Sequence, residues 1–555
     1  QDLGDDAANN EYICTNQGSA PNRYAVFRWD STYYNNDGKV QTEAVLFENG
    51  TIYLQHGKVA SHTDADPTIW SGISLGDDAN YRFNSSLTIN DTVLANNSLY
   101  IFARNNPPTL NTLTLNSTNL LRNDTFRNLT ANASVSDTNG DSVKVIYNWL
   151  RNGTSITVLN MPFEGVNNTA INNAWDYSGY SNNGSEQRGA FWNYTGGFDG
   201  KGAYEFNGTT SYINIIDSKH LNLSKVFTFA MWIKPKGPLK TSQYVCGKAY
   251  NGDAFILTPS IYLSTNDVSI GWTGHTGDGS GGTTGARATA SSAITADVWS
   301  HVAATYDGAT VNLYVNGKLK ASNAETSIPN LTSQDFVIGR RGDIADDAAQ
   351  VFNGTIDEFF IFNRSLSADQ IWNLYQNQTY KLDDNETIRS DIWSVQGTPN
   401  DGWYDGAMLT SNSLTILNAV PTQETPILNT TNLATNDTDT NLTAYNDSTY
   451  DADNDLVKNI YNWQVDGKPI AVLNMPFEGI NNTATNNSWD YSGYGNNGKD
   501  TGDGLYWNAT GGFDGKGAYE FYGSLSYINI PDANSLDFNQ TQPFTVTAWF
   551  KHHSL

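Results

Sequence analysis

Two acidic turns contain residues suited to binding a metal ion. Their oxygen-bearing side chains, spaced at i, i+2 and i+4, are Asp137, Asn139 and Asp141 in the first turn and Asp451, Asp453 and Asp455 in the second. Oxygens at this spacing can converge inside a tight turn, and calcium prefers about six to eight such ligands. The distal Glu of an EF-hand is absent, so that motif is not matched. The pattern predicts either a calcium site or a solvated acidic turn at each position.

The sequence lacks the common catalytic motifs. A glycoside hydrolase often carries its two carboxylates on one strand as Glu-x-Asp-x-x-Glu, and no such run occurs. Asp357 and Glu358 are adjacent, so we expect their side chains to point to opposite faces of a sheet. A Gly-x-Ser-x-Gly elbow, a His-Glu-x-x-His helix and a Walker A loop are also missing. We therefore predict that the chain is not an enzyme.

The chain is strongly acidic. Its 555 residues include 31 Lys and Arg against 57 Asp and Glu, a net charge of −26. This balance argues against nucleic-acid binding and against docking on an anionic membrane, because both need a basic face. No segment approaches the roughly 18 apolar residues of a membrane helix, so we predict no membrane insertion within residues 1–555. The chain starts at Gln1 rather than Met, which we interpret as a mature terminus left by removal of a signal peptide.

Asn-x-Ser/Thr sequons occur about 27 times in the sequence. We interpret them as N-glycosylation sites of a secreted protein. The alternative is a β protein rich in Asn and Thr that forms sequons by accident. The candidate acceptors are Asn49, Asn84, Asn116, Asn128, Asn193, Asn330, Asn353, Asn441 and Asn508.

Long segments of the sequence occur twice. The repeated segments are LNMPFEG at 159–165 and 473–479, WDYSGYSNNG at 175–184 (WDYSGYGNNG at 489–498), and GGFDGKGAYEF at 196–206 and 511–521. The offset is far longer than the roughly 20–50 residues of a solenoid repeat, so whole domains are repeated. Arrays of like domains extend a surface or multiply a weak contact, whereas an enzyme usually needs its site once.

The elements that position these motifs are predicted to be short β-strands. Apolar and β-branched residues alternate in short runs separated by Asn-Gly, Asp-Gly and Gly-Gly turns. A hairpin is expected at residues 311–320, and one helical turn at residues 367–375, capped by Ser365 or Ser367. The predicted fold class is all-β, a multi-domain array of antiparallel β-sandwiches.

The N-terminal part is predicted to be a separate β domain, residues 1–104. Its clearest element is the hairpin EAVLFENGTIYLQ at residues 43–55, with an Asn-Gly tip. This strand pair resembles one in the nidogen-like extracellular module.

A second type of domain follows. Residues 131–149 are predicted to form a strand, an acidic turn and a strand, and they resemble an immunoglobulin-like or PKD-like surface domain. The strands that would close such a domain appear only much later in the sequence. We therefore expect one discontinuous immunoglobulin-like domain of residues 105–157 and 379–419, with residues 158–378 inserted into one of its loops. Residues 420–470 would begin a second one.

The inserted segment carries a series of motifs in a fixed order. They are FEG (163–165), DYSGYSNNG (176–184), YEF (204–206), FAMWI (229–233), WSHVAATY (299–306), LYVNG (313–317) and GTIDEF (354–359). In this order they resemble the laminin G-like, concanavalin A-like jelly-roll family. The resemblance implies two packed antiparallel sheets at residues 158–378. Residues 471–555 would form a second, incomplete jelly roll.

The same resemblance implies a structural calcium ion as cofactor. Members of the family often hold calcium between the first strand, a Gly-rich loop and the last strand. By position these elements correspond to Glu164, Asp199 and Asp357, and in the second copy to Glu478 and Asp514. The ion would clamp the strand ends and couple folding to metal binding. The alternative is that these are exposed carboxylates at strand ends.

Family members also bind glycans or proteins, and many are spacers, so the fold alone does not decide the function. Trp192, Tyr194 and Trp272 lie in Gly-rich, polar stretches and are candidate carbohydrate platforms, with loop packing as the alternative. Trp232, Trp299 and Tyr306 lie in alternating strands and are predicted to be core residues, not sugar platforms.

We predict an extracellular structural glycoprotein of a cell surface, of the archaeal type, as part of a surface layer, sheath or filament. Its partners would be copies of itself, other surface glycoproteins, or glycans. The alternatives are a calcium-dependent lectin-like adhesin and a non-catalytic appendage of a larger secreted enzyme. Because the second jelly roll is incomplete, we expect the protein to continue past Leu555, with strands donated by a neighbouring subunit as the alternative.

Overall fold

The computed structural model describes most of the chain from residue 105 onward. The described residues are 105–552 except 119–123, 126, 167–170, 252–254, 258, 276–282, 343–349, 433, 435–436, 447, 481–486, 523–524, 540 and 542, together with seven strands between residues 10 and 102. They form two compact units. The first comprises residues 1–123, 127–387 and 391–415, and the second comprises residues 124–126, 388–390 and 416–555.

The N-terminal strands form one five-stranded antiparallel sheet and a separate pair. They are β1 (Asn10–Gln17), β2 (Tyr24–Thr32), β3 (Lys39–Phe47), β4 (Ile52–Val59), β5 (Gly72–Ser74), β6 (Tyr81–Phe83) and β7 (Ser98–Phe102). The sheet order is β1-β2-β3-β4-β7, and β5 pairs with β6. Strands β3 and β4 pair from Leu46 with Ile52, which confirms the predicted hairpin. The Asn-Gly tip itself lies outside the described residues.

Strands from two distant segments form a small β-sandwich, the flanking sandwich. Its first strands are β8 (Thr109–Ser117), β9 (Leu129–Ser136), β10 (Lys144–Arg151) and β11 (Thr154–Ser155). Its later strands are β30 (Lys381–Leu382), β31 (Ile392–Asn400), β32 (Leu409–Thr410) and β33 (Leu414–Thr415). One sheet has the order β30-β9-β8. The other has the order β11-β10-β31-β32, with β33 also paired to β31.

Buried side chains from both sheets hold the flanking sandwich together. Trp149 of β10 and Trp393 of the paired strand β31 are buried, and their ring centroids lie 6.4 Å apart in an edge-to-face arrangement. A Cβ on Gly397 would lie 3.1 Å from Leu113 and 3.2 Å from Leu110, so the two sheets are in close contact there. Segments more than 200 residues apart in sequence therefore share one core.

A jelly roll of two sheets lies between the two segments of the flanking sandwich in sequence. Its strands are β12 (Thr157–Met161), β13 (Gly184–Gln187), β14 (Phe191–Asn193), β15 (Ala203–Asn207), β16 (Tyr212–Ile215), β17 (Phe227–Pro235), β18 (Gln243–Gly247), β19 (Ala249–Asn251), β20 (Phe255–Leu257), β21 (Ser260–Ser264), β22 (Asp267–His275), β23 (Thr283–Ala290), β24 (Ser300–Tyr306), β25 (Thr310–Val315), β26 (Lys318–Ala324), β27 (Ile328–Pro329), β28 (Phe336–Ile338) and β29 (Asn353–Phe362). Sheet A has the order β14-β15-β29-β17-β24-β25-β26, with β12 paired to β29. Sheet B has the order β13-β16-β28-β18-β21-β22-β23, with β27 paired to β22. This architecture confirms the predicted all-β fold class.

The main core lies between sheets A and B. Along β17, Phe227, Phe229, Met231 and Ile233 alternate and are fully buried. Their period of two places all four on the same face of sheet A. Trp232 lies on the opposite face, where its ring packs 5.6 Å from that of Tyr375. Sheet A is therefore covered on both faces.

The cover on the outer face of sheet A includes helix α1 (Ala368–Tyr375). The helix begins after Ser367, whose hydroxyl accepts the backbone N–H of Gln370 at 3.1 Å, so Ser367 is the cap. Short 3-10 helices lie at Lys219–Leu221, Asp384–Glu386 and Asn534–Leu536. The predicted hairpin is formed by β25 and β26, and Asn316 and Gly317 at its turn have the positive φ values of 51° and 72° that such turns require.

The described residues of the second unit contain four strand pairs. They are β34 (Ile427–Thr430) with β35 (Leu442–Tyr445), β36 (Gln464–Val465) with β37 (Lys468–Pro469), β38 (Lys499–Thr501) with β41 (Tyr527–Asn529), and β39 (Leu505–Asn508) with β40 (Ala518–Phe521). The last two pairs correspond to β13–β16 and β14–β15 of the first copy. Lys499 pairs with Asn529 as Ser185 pairs with Asn214, so the duplicated sequence keeps its register.

Candidate functional site

Three carboxylates converge at one end of sheet A. Glu164 follows β12, Asp199 lies in the Gly-rich loop between β14 and β15, and Glu358 lies in β29. One oxygen of each lies within 4.8 Å of the others. The Glu164 side chain is fully buried, that of Glu358 is 5% exposed and that of Asp199 is 14% exposed. We call this set the acidic triad.

The ammonium group of Lys144 lies among the three carboxylates. Its Nζ is 2.7 Å from Glu164 Oε1 and 2.7 Å from Asp199 Oδ2, and it also pairs with Glu358 Oε1. Lys144 is the first residue of β10, so the cation comes from the flanking sandwich and the anions come from the jelly roll. The three N–H donors of an ammonium group match the three carboxylates.

Backbone groups fix the remaining oxygens of the triad. Glu164 Oε2 accepts the N–H of Gly202 at 3.0 Å, and Asp199 Oδ1 accepts the N–H of Lys201 at 3.0 Å. A Cβ at Gly202 would lie 2.2 Å from the carbonyl oxygen of Phe163, so this close approach requires glycine. The Gly-rich loop therefore positions two of the three carboxylates.

The pKa values of Lys144, Glu164 and Glu358 are all shifted. Burial alone would lower the pKa of Lys144, but the charges of Glu164, Glu358 and Asp199 outweigh it, and its pKa stays well above the usual value. Burial raises the pKa of Glu164, and Lys144 partly offsets the increase. Burial likewise raises the pKa of Glu358 to about 7, again against the effect of Lys144. The lysine is thus a permanent positive charge beside Glu164 and Glu358, whose burial opposes their ionisation.

The expectation that Asp357 joins Glu164 and Asp199 is wrong, because Glu358 takes that place. Asp357 is fully buried, and its two oxygens accept the backbone N–H groups of Phe198 (2.9 Å) and Glu358 (2.8 Å). A bulge interrupts the pairing of β17 with β29 beside these residues, and Glu358 has a φ of 50°. Bulges re-aim side chains, and this one directs Glu358 to Lys144.

The second copy repeats the arrangement. Lys458 Nζ pairs with Glu478 Oε1 and Asp514 Oδ2, and Glu478 Oε2 accepts the N–H of Gly517 at 3.1 Å. Both lysines precede their glutamate by 20 residues. Sequence reasoning missed the lysines, although this repeated spacing was a signal that could have found them.

The jelly roll also has a recognisable sequence. Residues 207–372 match the family model described as the concanavalin A-like lectin/glucanases superfamily. The chain contains a concanavalin A-like lectin/glucanase domain. No curated protein matches the sequence. Among the described residues, no helix combines the length and the apolar character needed to cross a membrane.

Solved structures similar to this chain include domain 4 of AbnA, a GH43 extracellular arabinanase from Geobacillus stearothermophilus, in complex with arabinotriose. The identity is 20%, the match covers 39% of this chain and 100% of that one, and the TM-score is 0.28. The botulinum neurotoxin serotype G binding domain is 19% identical, with 40% and 51% covered and a TM-score of 0.29. The binding domain of Paraclostridial Mosquitocidal Protein 1 is 18% identical, with 40% and 52% covered and a TM-score of 0.30. The match thus spans about half of each toxin domain.

Outside the concanavalin A-like domain, both acidic turns are self-bonded. Asp137 Oδ1 accepts the N–H groups of Asn139 (2.7 Å) and Asp141 (3.1 Å). Carboxylate oxygens of Asp137, Asp141 and Asp401 lie within 4.8 Å of one another, and Asp401 was not predicted to join this turn. The Oδ1 atom of Asn139 accepts the N–H of Asn106 at 2.8 Å, so this turn also holds the start of the flanking sandwich.

The second acidic turn has the same bonds. Asp451 Oδ1 accepts the N–H groups of Asp453 (2.9 Å) and Asp455 (3.2 Å), and Asp453 Oδ2 accepts the N–H of Ala419 at 2.7 Å. Asp455 also pairs with Arg389 at 2.8 Å. The carboxylates of Asp451, Asp453 and Asp455 come within 4.8 Å of one another. Calcium binding at the two turns stays a prediction.

Two of the three expected carbohydrate platforms are buried in the concanavalin A-like domain. Trp192 is 3% exposed and donates its Nε1–H to the carbonyl of Phe163 at 2.7 Å. Trp272 is fully buried between the sheets and donates to Ser327 Oγ at 3.2 Å. The platform prediction is wrong for both, because their ring faces are covered by protein. Tyr194 is 54% exposed, so it stays a candidate carbohydrate platform.

The candidate glycosylation sites differ in exposure. Asn49 and Asn84 lie outside the described residues. Asn441 is exposed, and the half-buried acceptors are Asn116, Asn128, Asn193, Asn330, Asn353 and Asn508. The side-chain amides of Asn193 and Asn508 donate to Glu205 (2.6 Å) and Glu520 (2.7 Å), equivalent bonds in the two copies. Glycosylation itself stays a prediction.

One exposed aromatic position recurs in both copies. Trp175 is 43% exposed and Trp489 is 49% exposed, each at the start of the repeated WDYSGY segment. The next residue, Asp176, is buried and accepts the N–H groups of Asn160 (3.0 Å), Ser178 (2.9 Å) and Asn182 (2.9 Å). A rigid loop therefore presents a tryptophan to solvent.

Proposed function

We propose that the chain is a non-catalytic, extracellular structural protein of a cell surface, built from repeated pairs of a flanking sandwich and a concanavalin A-like domain. The observation that supports it most is the ionic joint inside the pair, in which Lys144 of the sandwich is surrounded by Glu164, Asp199 and Glu358 of the jelly roll. The equivalent lysine and two of the carboxylates recur in the second copy.

Further contacts strengthen this joint in the first unit. Lys201 Nζ of the jelly roll donates to the carbonyl of Ser142 in the flanking sandwich at 2.7 Å. Other polar contacts across the joint include Asn400 Nδ2 to Gly165 O (2.7 Å), Asn148 Nδ2 to Ser178 O (3.2 Å) and Tyr177 Oη to Asp405 (2.7 Å). A joint with buried charges and this many bonds holds its two domains as one body. Stiff units of this kind suit a spacer or lattice component better than a hinge.

The buried carboxylates also support a non-catalytic role. A glycosidase holds two carboxylates about 5–10 Å apart on either side of a cleft that admits the sugar. Here Glu164 and Glu358 enclose an ammonium group and are buried, and Asp357 beside them accepts two backbone N–H groups. These side chains cannot flank a glycosidic bond unless the joint opens.

An extracellular location and glycosylation belong to the same proposal. The sequons and the net charge of −26 support it, because both favour a solvated protein that does not adsorb to nucleic acid or to anionic lipid. Its partners would be copies of itself or other surface glycoproteins. Calcium at the acidic turns, if bound, would have a structural role.

Electron microscopy of the purified 555-residue chain tests the structural function. The expected result is ordered strings, filaments or sheets at raised protein concentration, with a repeat set by the sandwich and jelly-roll pair. Dispersed single particles at every concentration, in calcium and in chelator, would contradict it.

A carbohydrate-binding function is the second candidate, and Trp175 and Trp489 favour it. Both side chains are more than 40% exposed, and both copies keep the tryptophan. Exposed tryptophans offer a flat apolar face that can cover a sugar ring and dominate a binding site. A glycan array with the wild type and the W175A/W489A double variant tests the idea. Binding that the double variant loses supports it, and no binding by the wild type contradicts it.

A further inference from the structure

We infer that Lys144 takes the place of the calcium ion that the jelly-roll resemblance implies, so that the flanking sandwich itself supplies the cation of this site. The acidic triad is where calcium was expected, apart from the exchange of Asp357 for Glu358. The centre of that triad holds Lys144 Nζ, 2.7 Å from each of Glu164 and Asp199. A metal ion and the ammonium group cannot share this position.

The ligand set fits an ammonium group better than calcium. Calcium takes about six to eight oxygens at roughly 2.3–2.6 Å. Two of the six carboxylate oxygens of the triad, Glu164 Oε2 and Asp199 Oδ1, are already bonded to backbone N–H groups. An ammonium group needs about three acceptors and finds three. Calcium would have to displace the lysine and then draw its remaining ligands from water in a buried site.

The tether makes the lysine hard to displace. Lys144 belongs to strand β10, which pairs with β31 along its whole length from Lys144 opposite Asn400 to Arg151 opposite Trp393. A charged group held in place by a folded strand acts at a high effective concentration, whereas a free ion must be bound from solution. Lys144 therefore excludes calcium from the site at any calcium concentration that leaves the sandwich folded.

The duplication supports a role for the charge itself. The segment DSVKVIYNW around Lys144 becomes DLVKNIYNW around Lys458, so the residues next to the lysine differ while the lysine is kept. Its partners Glu478 and Asp514 are kept too, and both pair with Lys458. The lysine and the acids thus recur as a set. A calcium site would need the acids alone.

Calcium titration of the full chain tests the inference, with four proteins: wild type, K144M, E164Q and K144M/E164Q. Methionine keeps most of the length of the side chain but removes the charge. We expect K144M to bind one more calcium ion per chain than the wild type, and its thermal midpoint to rise with millimolar calcium. K144M/E164Q should lose the extra ion. Calcium bound at the acidic turns would be counted in all four proteins, so it does not affect the differences between them.

The E164Q variant tests the inference even if K144M does not fold. The inference predicts that wild type and E164Q bind the same number of calcium ions, since the triad binds none. A calcium ion that the wild type binds and E164Q loses would overturn it. A folded K144M that gains no calcium ion would overturn it as well, because the triad would then not be a cation site that the lysine fills.

Discussion

Replacing Lys144 by methionine should be among the most destabilising single changes in this chain. The Lys144 side chain is 15% exposed, and its partners Glu164 and Glu358 are 0% and 5% exposed, so the charges are largely shielded from water. Removing one partner of a buried ion pair leaves the other charges uncompensated, which typically costs about 3–5 kcal/mol. We expect a loss of that size in the free energy of opening the jelly roll.

The second copy supplies a matched control. Lys458 makes the equivalent pairs but is 32% exposed, and its partner Asp514 is 41% exposed. Solvent screens such a pair, and exposed pairs contribute about 0–1 kcal/mol. The K458M variant of the same 555-residue chain should therefore lose less than about 1 kcal/mol. The two variants change the same residue type in duplicated segments. Their sites differ in burial and in the carboxylates that pair with the lysine, three for Lys144 and two for Lys458.

Hydrogen exchange measured by mass spectrometry in increasing urea gives the required local free energies. Peptides covering β17 (Phe227–Pro235) and β29 (Asn353–Phe362) report the opening of the jelly roll.

Low pH should reduce the destabilisation caused by K144M. Burial already raises the pKa of Glu164 and Glu358 in the folded state, and losing the lysine raises both further. Carboxyls whose folded pKa is raised are destabilising above that pKa, and protonation relieves the penalty as the pH falls below about 7.

Two results would refute this reasoning. One is a loss below about 1 kcal/mol in K144M, comparable with that in K458M, which would mean that burial of the lysine has no energetic effect. The other is a K144M defect that does not shrink between pH 7 and pH 5. A defect independent of pH would assign the destabilisation to lost packing of the side-chain stem, not to unpaired carboxylates.

Three further changes test other parts of the structure. His301 is buried, and burial lowers its pKa to about 3. The wild type should therefore lose about 2 kcal/mol of stability between pH 7 and pH 5, because the unfolded state takes up a proton, whereas H301Q should not show this loss. Urea unfolding at both pH values measures the difference, and the same pH dependence in both proteins would contradict it. S367A removes the cap of α1 and should cost about 1 kcal/mol by the same hydrogen-exchange measurement, with S365A as the control that should change little. G202A should destabilise the jelly roll by about 1–3 kcal/mol, because its Cβ would lie 2.2 Å from the carbonyl of Phe163; an unchanged thermal midpoint would contradict this close approach.

Local patterns were enough to predict several elements of the jelly roll. The hairpin expected at residues 311–320 is formed by β25 and β26, and the helical turn expected at residues 367–375 is α1. The cap at Ser367 was one of two expected candidates. Each of these features depends on residues within a few positions of one another, which is the range over which sequence patterns carry information.

The candidate site depends on contacts that no local pattern contains. Lys144 and Glu358 are 214 residues apart and meet only because β10 and β29 are brought together by the fold. The bulge that aims Glu358 at the lysine is a property of strand pairing, not of the two adjacent acidic residues. The prediction that Trp272 is a carbohydrate platform was wrong for a similar reason. The glycines around it suggest a surface loop, but β22 places its ring in the core.

The most direct test of the lysine joint is a crystal structure of the chain grown in millimolar calcium, with anomalous diffraction recorded to locate the metal. The account predicts ammonium density of Lys144 between Glu164, Asp199 and Glu358, and no anomalous peak at that position, whatever is bound at the acidic turns. An anomalous peak among these three carboxylates, with the Lys144 side chain turned away, would contradict it.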